Sequence, residues 1–121
     1  LEKVSAVQMR AEDAGRSPLY RESFDFLVTR ALAPMPVLAE YCLPLVKVGG
    51  YVAAYKGPNW QEEVSAGEKA ISLLGGKCLD VCENNLPEEY GSRSIVILQK
   101  IKNTPLKYPR KAGMPAKKPL M

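Results

Sequence analysis

The spacing of apolar residues along this chain changes period several times, and each change marks an element. Residues 4–9 (VSAVQM) form a short apolar run that predicts a first strand, ended by a charged turn at Arg10, Ala11, Glu12 and Asp13. Gly15, Ser17 and Pro18 follow as a loop. Residues 24–29 (FDFLVT) predict a second strand, ending at Arg30. Pro34 and Pro36 sit where a helix begins, a place that tolerates proline. Val37, Leu38, Tyr41, Cys42 and Leu45 recur at helical spacing and predict a helix over 37–46, weakened by Pro44 and stopped by Gly49-Gly50. Residues 51–55 (YVAAY) are a third strand, closing on Lys56. Over 61–74, Val64, Ala70, Ile71 and Leu74 oppose Glu62, Glu63, Glu68 and Lys69, an amphipathic helix with Gly67 inside it and Gly75-Gly76 after it. Strands at 77–82 and 94–99 (SIVILQ) are joined by a polar loop at 83–92.

Strands alternating with helices predict an α/β domain with a mostly parallel sheet. The last two strands have no helix between them, so they should form an antiparallel pair at one end of the sheet. At 121 residues the chain is one domain. No apolar run approaches the roughly 20 residues that cross a bilayer, and the first residues hold no apolar leader core. Three cysteines, poorly spaced for pairing, point to a reducing cytosol, hence a cytoplasmic protein with no membrane partner. The first residue is Leu1, which suggests a piece of a longer chain.

Charge divides the sequence in two. Residues 1–99 hold ten Lys/Arg and thirteen Asp/Glu, while residues 100–121 hold seven Lys/Arg and no acid. Pro105, Pro109, Pro115, Pro119 and Gly113 break helix and strand there, so this basic strip reads as a contact arm outside the core, suited to a polyanion. A solubilising extension is the plain alternative. Tyr108 lies among Lys107, Arg110 and Lys111, with Lys117 and Lys118 beyond; an aromatic among cations suits stacking on a base while its neighbours hold phosphates.

The chain has no histidine, which excludes Ser-His-Asp, Cys-His and histidine–zinc sites within it. Cys78 and Cys82 fall on one face of their strand and read as small core side chains, with no metal implied. There is no phosphate-cradling glycine loop. Charge at the ends of apolar strands is more pointed, because open α/β sheets bind ligands outside those ends. Glu12 and Lys56 are equally readable as the first wet residues of loops. Arg30, flanked by apolar residues, needs a partner near a buried edge.

Arg10-Ala11-Glu12, then FDFLVTRALAP, then LAEYCLPLVKVGGYVAAYKG, then RSIVILQKIKNTPLKYPRKAGMPAKKPL, together resemble the C-terminal part of the bacterial ribosomal RNA small subunit methyltransferase G family, also called glucose-inhibited division protein B. The resemblance runs in order over essentially all of the chain. It implies an incomplete Rossmann-like S-adenosylmethionine-dependent methyltransferase fold over residues 1–100, with strand order 3-2-1-4-5-7-6 in the complete fold, followed by the basic tail at 101–121. It implies methylation of N7 of a guanine in 16S ribosomal RNA, with the small ribosomal subunit as partner. Ala11 and Glu12 match positions that hold the adenosine end of the cofactor, and Arg30 matches one beside its methionine end. Lys56 would face the same crevice and could meet RNA. The family's glycine-rich loop has no counterpart here, so the chain alone is expected to be inactive and its second strand to be a raw, association-prone edge. A non-catalytic RNA-binding module, and a scaffold that binds protein through its tail, are the competing readings.

Overall fold

A computed structural model describes residues 11–30, 33–57, 59–84, 93–111 and 113–120. The strand expected at 4–9 and most of the loop at 83–92 lie outside the described residues. Where a charged turn was expected, Ala11 begins a short helix, α1 (Ala11–Arg16). Strand β1 (Phe24–Thr29) follows. Helix α2 (Met35–Cys42) starts after Pro34 with Pro36 in its first turn.

The helix expected over 37–46 ends early. Pro44 offers no N–H to the ladder, and the chain tightens into a 3-10 turn at Leu43–Leu45 before entering β2 (Val46–Lys56). Gly49 and Gly50 therefore lie inside a strand and stop nothing. The β1–β2 register advances from Phe24↔Val46 to Phe26↔Tyr51, an irregularity that takes up the glycines. A Cβ at Gly50 would stand 2.6 Å from the Asp25 carbonyl oxygen, so only glycine lets β1 come this close.

Helix α3 (Trp60–Leu73) ends at Leu74, and Gly75 turns the chain at φ +90° into β3 (Gly76–Asn84). Strand β4 (Arg93–Lys100) returns between β2 and β3. The sheet order is β1-β2-β4-β3, the order the resemblance implied for the last four strands of the complete fold. β1–β2 is parallel; β2–β4 and β4–β3 are antiparallel, so among the described strands the sheet is mixed, with the expected antiparallel pair at one end. Met35, Leu38, Cys42, Ala70, Ile71 and Leu74 of the helical layer pack on Val52, Ala54, Val96 and Leu98. Gly67 earns its place in α3 by contact: a Cβ there would meet the Met35 side chain.

The cysteine reading fails on register. Cys78 opposes Leu98 but Asp80 opposes Ile97, so an extra residue reverses the alternation. Cys82, opposite Ile95, then lies on the other face from Cys78, and both are exposed on the edge strand. Cys42 is the core cysteine, its thiol pushed up to about 12 by burial.

The tail is not an arm outside the core. Thr104, Tyr108, Pro109 and Pro115 are buried, and a short helix α4 (Met114–Lys117) forms. Composition misled because the prolines prevent only regular ladders; side chains from the body supply the missing hydrogen-bond partners instead. Among the described residues no helix is long and apolar enough to cross a membrane.

Candidate functional site

Because β1 and β2 run parallel, their carboxyl ends share one end of the sheet, with Thr29 opposite Ala54. Arg30 leaves β1 there. It is exposed, and its guanidinium stands over the Tyr55 ring at 5.0 Å, a cation–π contact that holds the head without consuming its donors. The partner expected of Arg30 near a buried edge is therefore the half-buried ring of Tyr55 on the neighbouring strand, and the edge itself is exposed.

Lys56 is at the same end but turned inward, its side chain 4% exposed. Its ammonium donates to the Ala33 carbonyl at 2.7 Å and pairs with Glu63 at 3.1 Å. The other oxygen of Glu63 accepts the Met35 N–H at 3.1 Å. This cluster ties the starts of α2 and α3 to the end of β2, and it leaves Lys56 no free face for RNA. Ala11 and Glu12 lie in the first turn of α1.

The tail residues divide into two groups. Arg110 donates to Glu40 three ways: its N–H at 2.7 Å, Nε at 3.0 Å and Nη2 at 2.8 Å. Glu40 sits in α2 with its side chain 0% exposed, so this is a buried charge satisfied by a bidentate fork. The hydrogen bond to Glu40 raises the Arg110 proton affinity further. Arg110 also holds the Lys118 carbonyl at 2.5 Å. Tyr108 is 8% exposed, packed in the core cluster with Lys107 over its ring, so it has no face to offer a base. Lys102, Lys107, Lys111, Lys117 and Lys118, by contrast, are exposed.

Lys100, counted with the basic strip, is fully buried at the end of β4. Its ammonium donates to the carbonyls of Leu43 at 2.7 Å and Val46 at 2.8 Å and pairs with Glu22 at 3.1 Å. Glu22 adopts φ +48°, a left-handed conformation costing about 1 kcal/mol; it aims the carboxylate at Lys100 and at the Thr104 N–H, 3.0 Å away. Period-two alternation marks this lysine in the sequence: Ser94, Val96, Leu98 and Lys100 share the buried face. Burial lowers the Lys100 proton affinity more than Glu22 restores it. The unfolded chain then binds more protons, so this group makes stability rise with pH from its depressed folded value up to the ordinary 10.5. Urea midpoints followed from neutral pH to 10.5 will climb less in Lys100→Met than in the parent; parallel curves would show that the ammonium is not desolvated.

The comparisons with known proteins bear on this arrangement. A family model described as rRNA small subunit methyltransferase G matches residues 1–95. The chain belongs to that family. Ribosomal RNA small subunit methyltransferase G of Lactobacillus johnsonii is 54% identical over 120 residues, which cover 99% of this chain and 50% of that protein. The Brevibacillus brevis member is 52% identical over 121 residues, covering 100% of this chain and 51% of that protein. The chain thus spans about half the length of these curated relatives. Among solved structures, a putative hemolysin from Streptococcus thermophilus (TM-score 0.49, 9% identity, 66% of this chain, 36% of that one) and a SAM-dependent methyltransferase from Methanosarcina mazei (TM-score 0.46, 13% identity, 73% and 64%) are too distant to inform the site.

Proposed function

We propose that this chain is part of an S-adenosylmethionine-dependent methyltransferase acting on N7 of a guanine in 16S ribosomal RNA. The observation that carries the reading is the family match over residues 1–95, with relatives more than half identical across the chain. The donor set suits the cofactor. A Glu12 carboxylate beside Ala11 accepts from ribose hydroxyls, and the exposed Arg30 head, at the carboxyl end of the parallel pair, suits the methionine carboxylate. S-adenosylmethionine supplies an activated methyl group. Guanine N7 is already nucleophilic, so the protein's task is to hold it in line and no histidine base is needed. The guanine reaches the pocket from a loop or by extrusion. RNA is engaged by Lys102, Lys107, Lys111, Lys117 and Lys118, while Tyr108 and Arg110 fix the segment that carries them and Lys56 serves the fold.

Titration of 16S ribosomal RNA into the chain, followed by incubation with methyl-labelled cofactor, tests this. RNA binding will weaken steeply with salt. Changing Lys111, Lys117 and Lys118 together to Gln will lower the log–log salt slope by roughly 2 without lowering Tm. The chain alone will transfer no methyl, and joining it to the remaining half of a full-length relative will yield 7-methylguanine. RNA binding with no transfer by the joined protein would favour a non-catalytic RNA-binding module; no RNA binding at all would overturn both readings.

A further inference from the structure

One side chain bridges the two halves of this proposed site. Arg21 lies in the turn after α1, and its guanidinium donates to four carbonyls on two separate segments. Nη1 reaches Gly15 at 3.0 Å and Tyr108 at 2.5 Å; Nη2 reaches Thr104 at 2.8 Å and Pro105 at 3.0 Å. Gly15 is in the last turn of α1, and the other three are in the tail. The same two segments touch directly: a Cβ on Gly15 would stand 2.8 Å from Pro109 Cγ, so α1 and the tail approach as closely as glycine allows. The tail is fixed again downstream by Glu40 through Arg110, and upstream by the Gly75 carbonyl, which accepts the N–H groups of Ile101 at 2.8 Å and Lys102 at 3.1 Å. A guanidinium's rigid fork is suited to such a role, since moving either segment breaks bonds in a fixed plane shared with the other.

We propose that Arg21 is a positioning residue that couples the lysine-bearing tail to helix α1, so that a polyanion held on the tail is felt at Ala11 and Glu12. The inference rests on the reading above of those two residues as cofactor contacts and of the tail lysines as the RNA surface. Coupling of this kind is reciprocal: RNA on the tail and cofactor at α1 favour one another.

Amide hydrogen exchange of the 121-residue chain tests it, free and with 16S ribosomal RNA. In the parent, RNA will slow exchange in the tail and at Gly15 and Arg16, the latter by about fivefold or more, the low end of common coupling strengths. In Arg21→Gln, RNA affinity and tail protection will persist within about twofold while the response at Gly15 and Arg16 is lost; a merely structural arginine would lower Tm and leave the response in place. Tail protection in the parent without any response in α1 would overturn the coupling. If RNA protects neither segment, the RNA reading fails by itself, and a second arm decides the coupling without ligand. Arg110→Gln loosens the tail, and it will speed exchange at Gly15 and Arg16 in the parent but not in the Arg21→Gln background. An equal effect in both backgrounds would overturn the proposal.

Discussion

Arg110→Ala will destabilise the chain by about 3–5 kcal/mol, because it strands a fully buried carboxylate. Glu40 loses the two side-chain donors of Arg110, Nε and Nη2, and keeps only the N–H of residue 110, while its side chain has no exposed surface through which water could replace the guanidinium. At this chain length the expected loss is a fall in Tm on the order of 10 °C. Arg110→Lys will recover only part of it, since a point charge cannot reproduce a bidentate fork. Replacing Glu40 and Arg110 together by Leu will recover most of it, because two apolar side chains leave no unpaired charge. Thermal melts of the three variants beside the parent decide the matter. An Arg110→Ala protein that melts with the parent would show that the tail is not fastened through Glu40.

The experiment also separates two meanings of a basic tail. Charge removal at Arg110 acts on the fold, whereas charge removal at Lys111, Lys117 or Lys118, all exposed, should leave the stability within about 0.5 kcal/mol of the parent. A loss of RNA binding in Arg110→Ala alone would therefore say little about contact with RNA.

The elements were legible where periodicity ran uninterrupted. Strands 24–29 and 94–99 and the long amphipathic helix lie within a residue or so of their expected bounds. The antiparallel closing pair followed from the lack of a helix between its strands. Three things were not legible, each for a physical reason. Gly49-Gly50 reads locally as a helix stop, but a close approach by Asp25 of a distant strand uses the same glycines inside β2. Cys78 and Cys82 sit four apart, and only the pairing with β4 reveals the extra residue that reverses their faces. The tail's composition excludes regular ladders, yet what holds it is a set of single side chains from elsewhere: Arg21, Glu22 and Glu40. Of these, Glu40 carried a signal, an acid within the otherwise apolar helix 35–42, which is buried throughout except at Tyr41. Arg21 and Glu22 sit in a loop and carry none. In the candidate site, the sheet-end position of Arg30 was readable from the sequence, whereas the inward turn of Lys56 depends on Glu63, one of three glutamates on α3.

The chain will self-associate through the exposed apolar side chains of β1. Phe26 and Val28 are each 55% exposed and Phe24 is 38% exposed, in a strand that among the described residues pairs on one edge only. Register places Phe26 beside Tyr51 and Val28 beside Ala53, and Ala53 beside Ile97, on the face turned away from the helical core. Tyr51, Tyr55, Ile95 and Ile97 are only half covered there, so the apolar surface runs on from β1 across the sheet. Such a surface wets poorly and favours association. Sizing chromatography will show a concentration-dependent shift to dimer or larger. Phe26→Lys with Val28→Lys will return the chain to monomer without lowering its Tm, because these side chains lose little burial on exposure and lysine blunts an edge. In relatives twice this length, we propose that the remaining half of the chain covers the same face; there the double lysine variant will destabilise the protein, the opposite sign from its neutral effect here. A sharp-melting monomer of the parent at high concentration would refute the association, and a tolerant full-length relative would refute the covering.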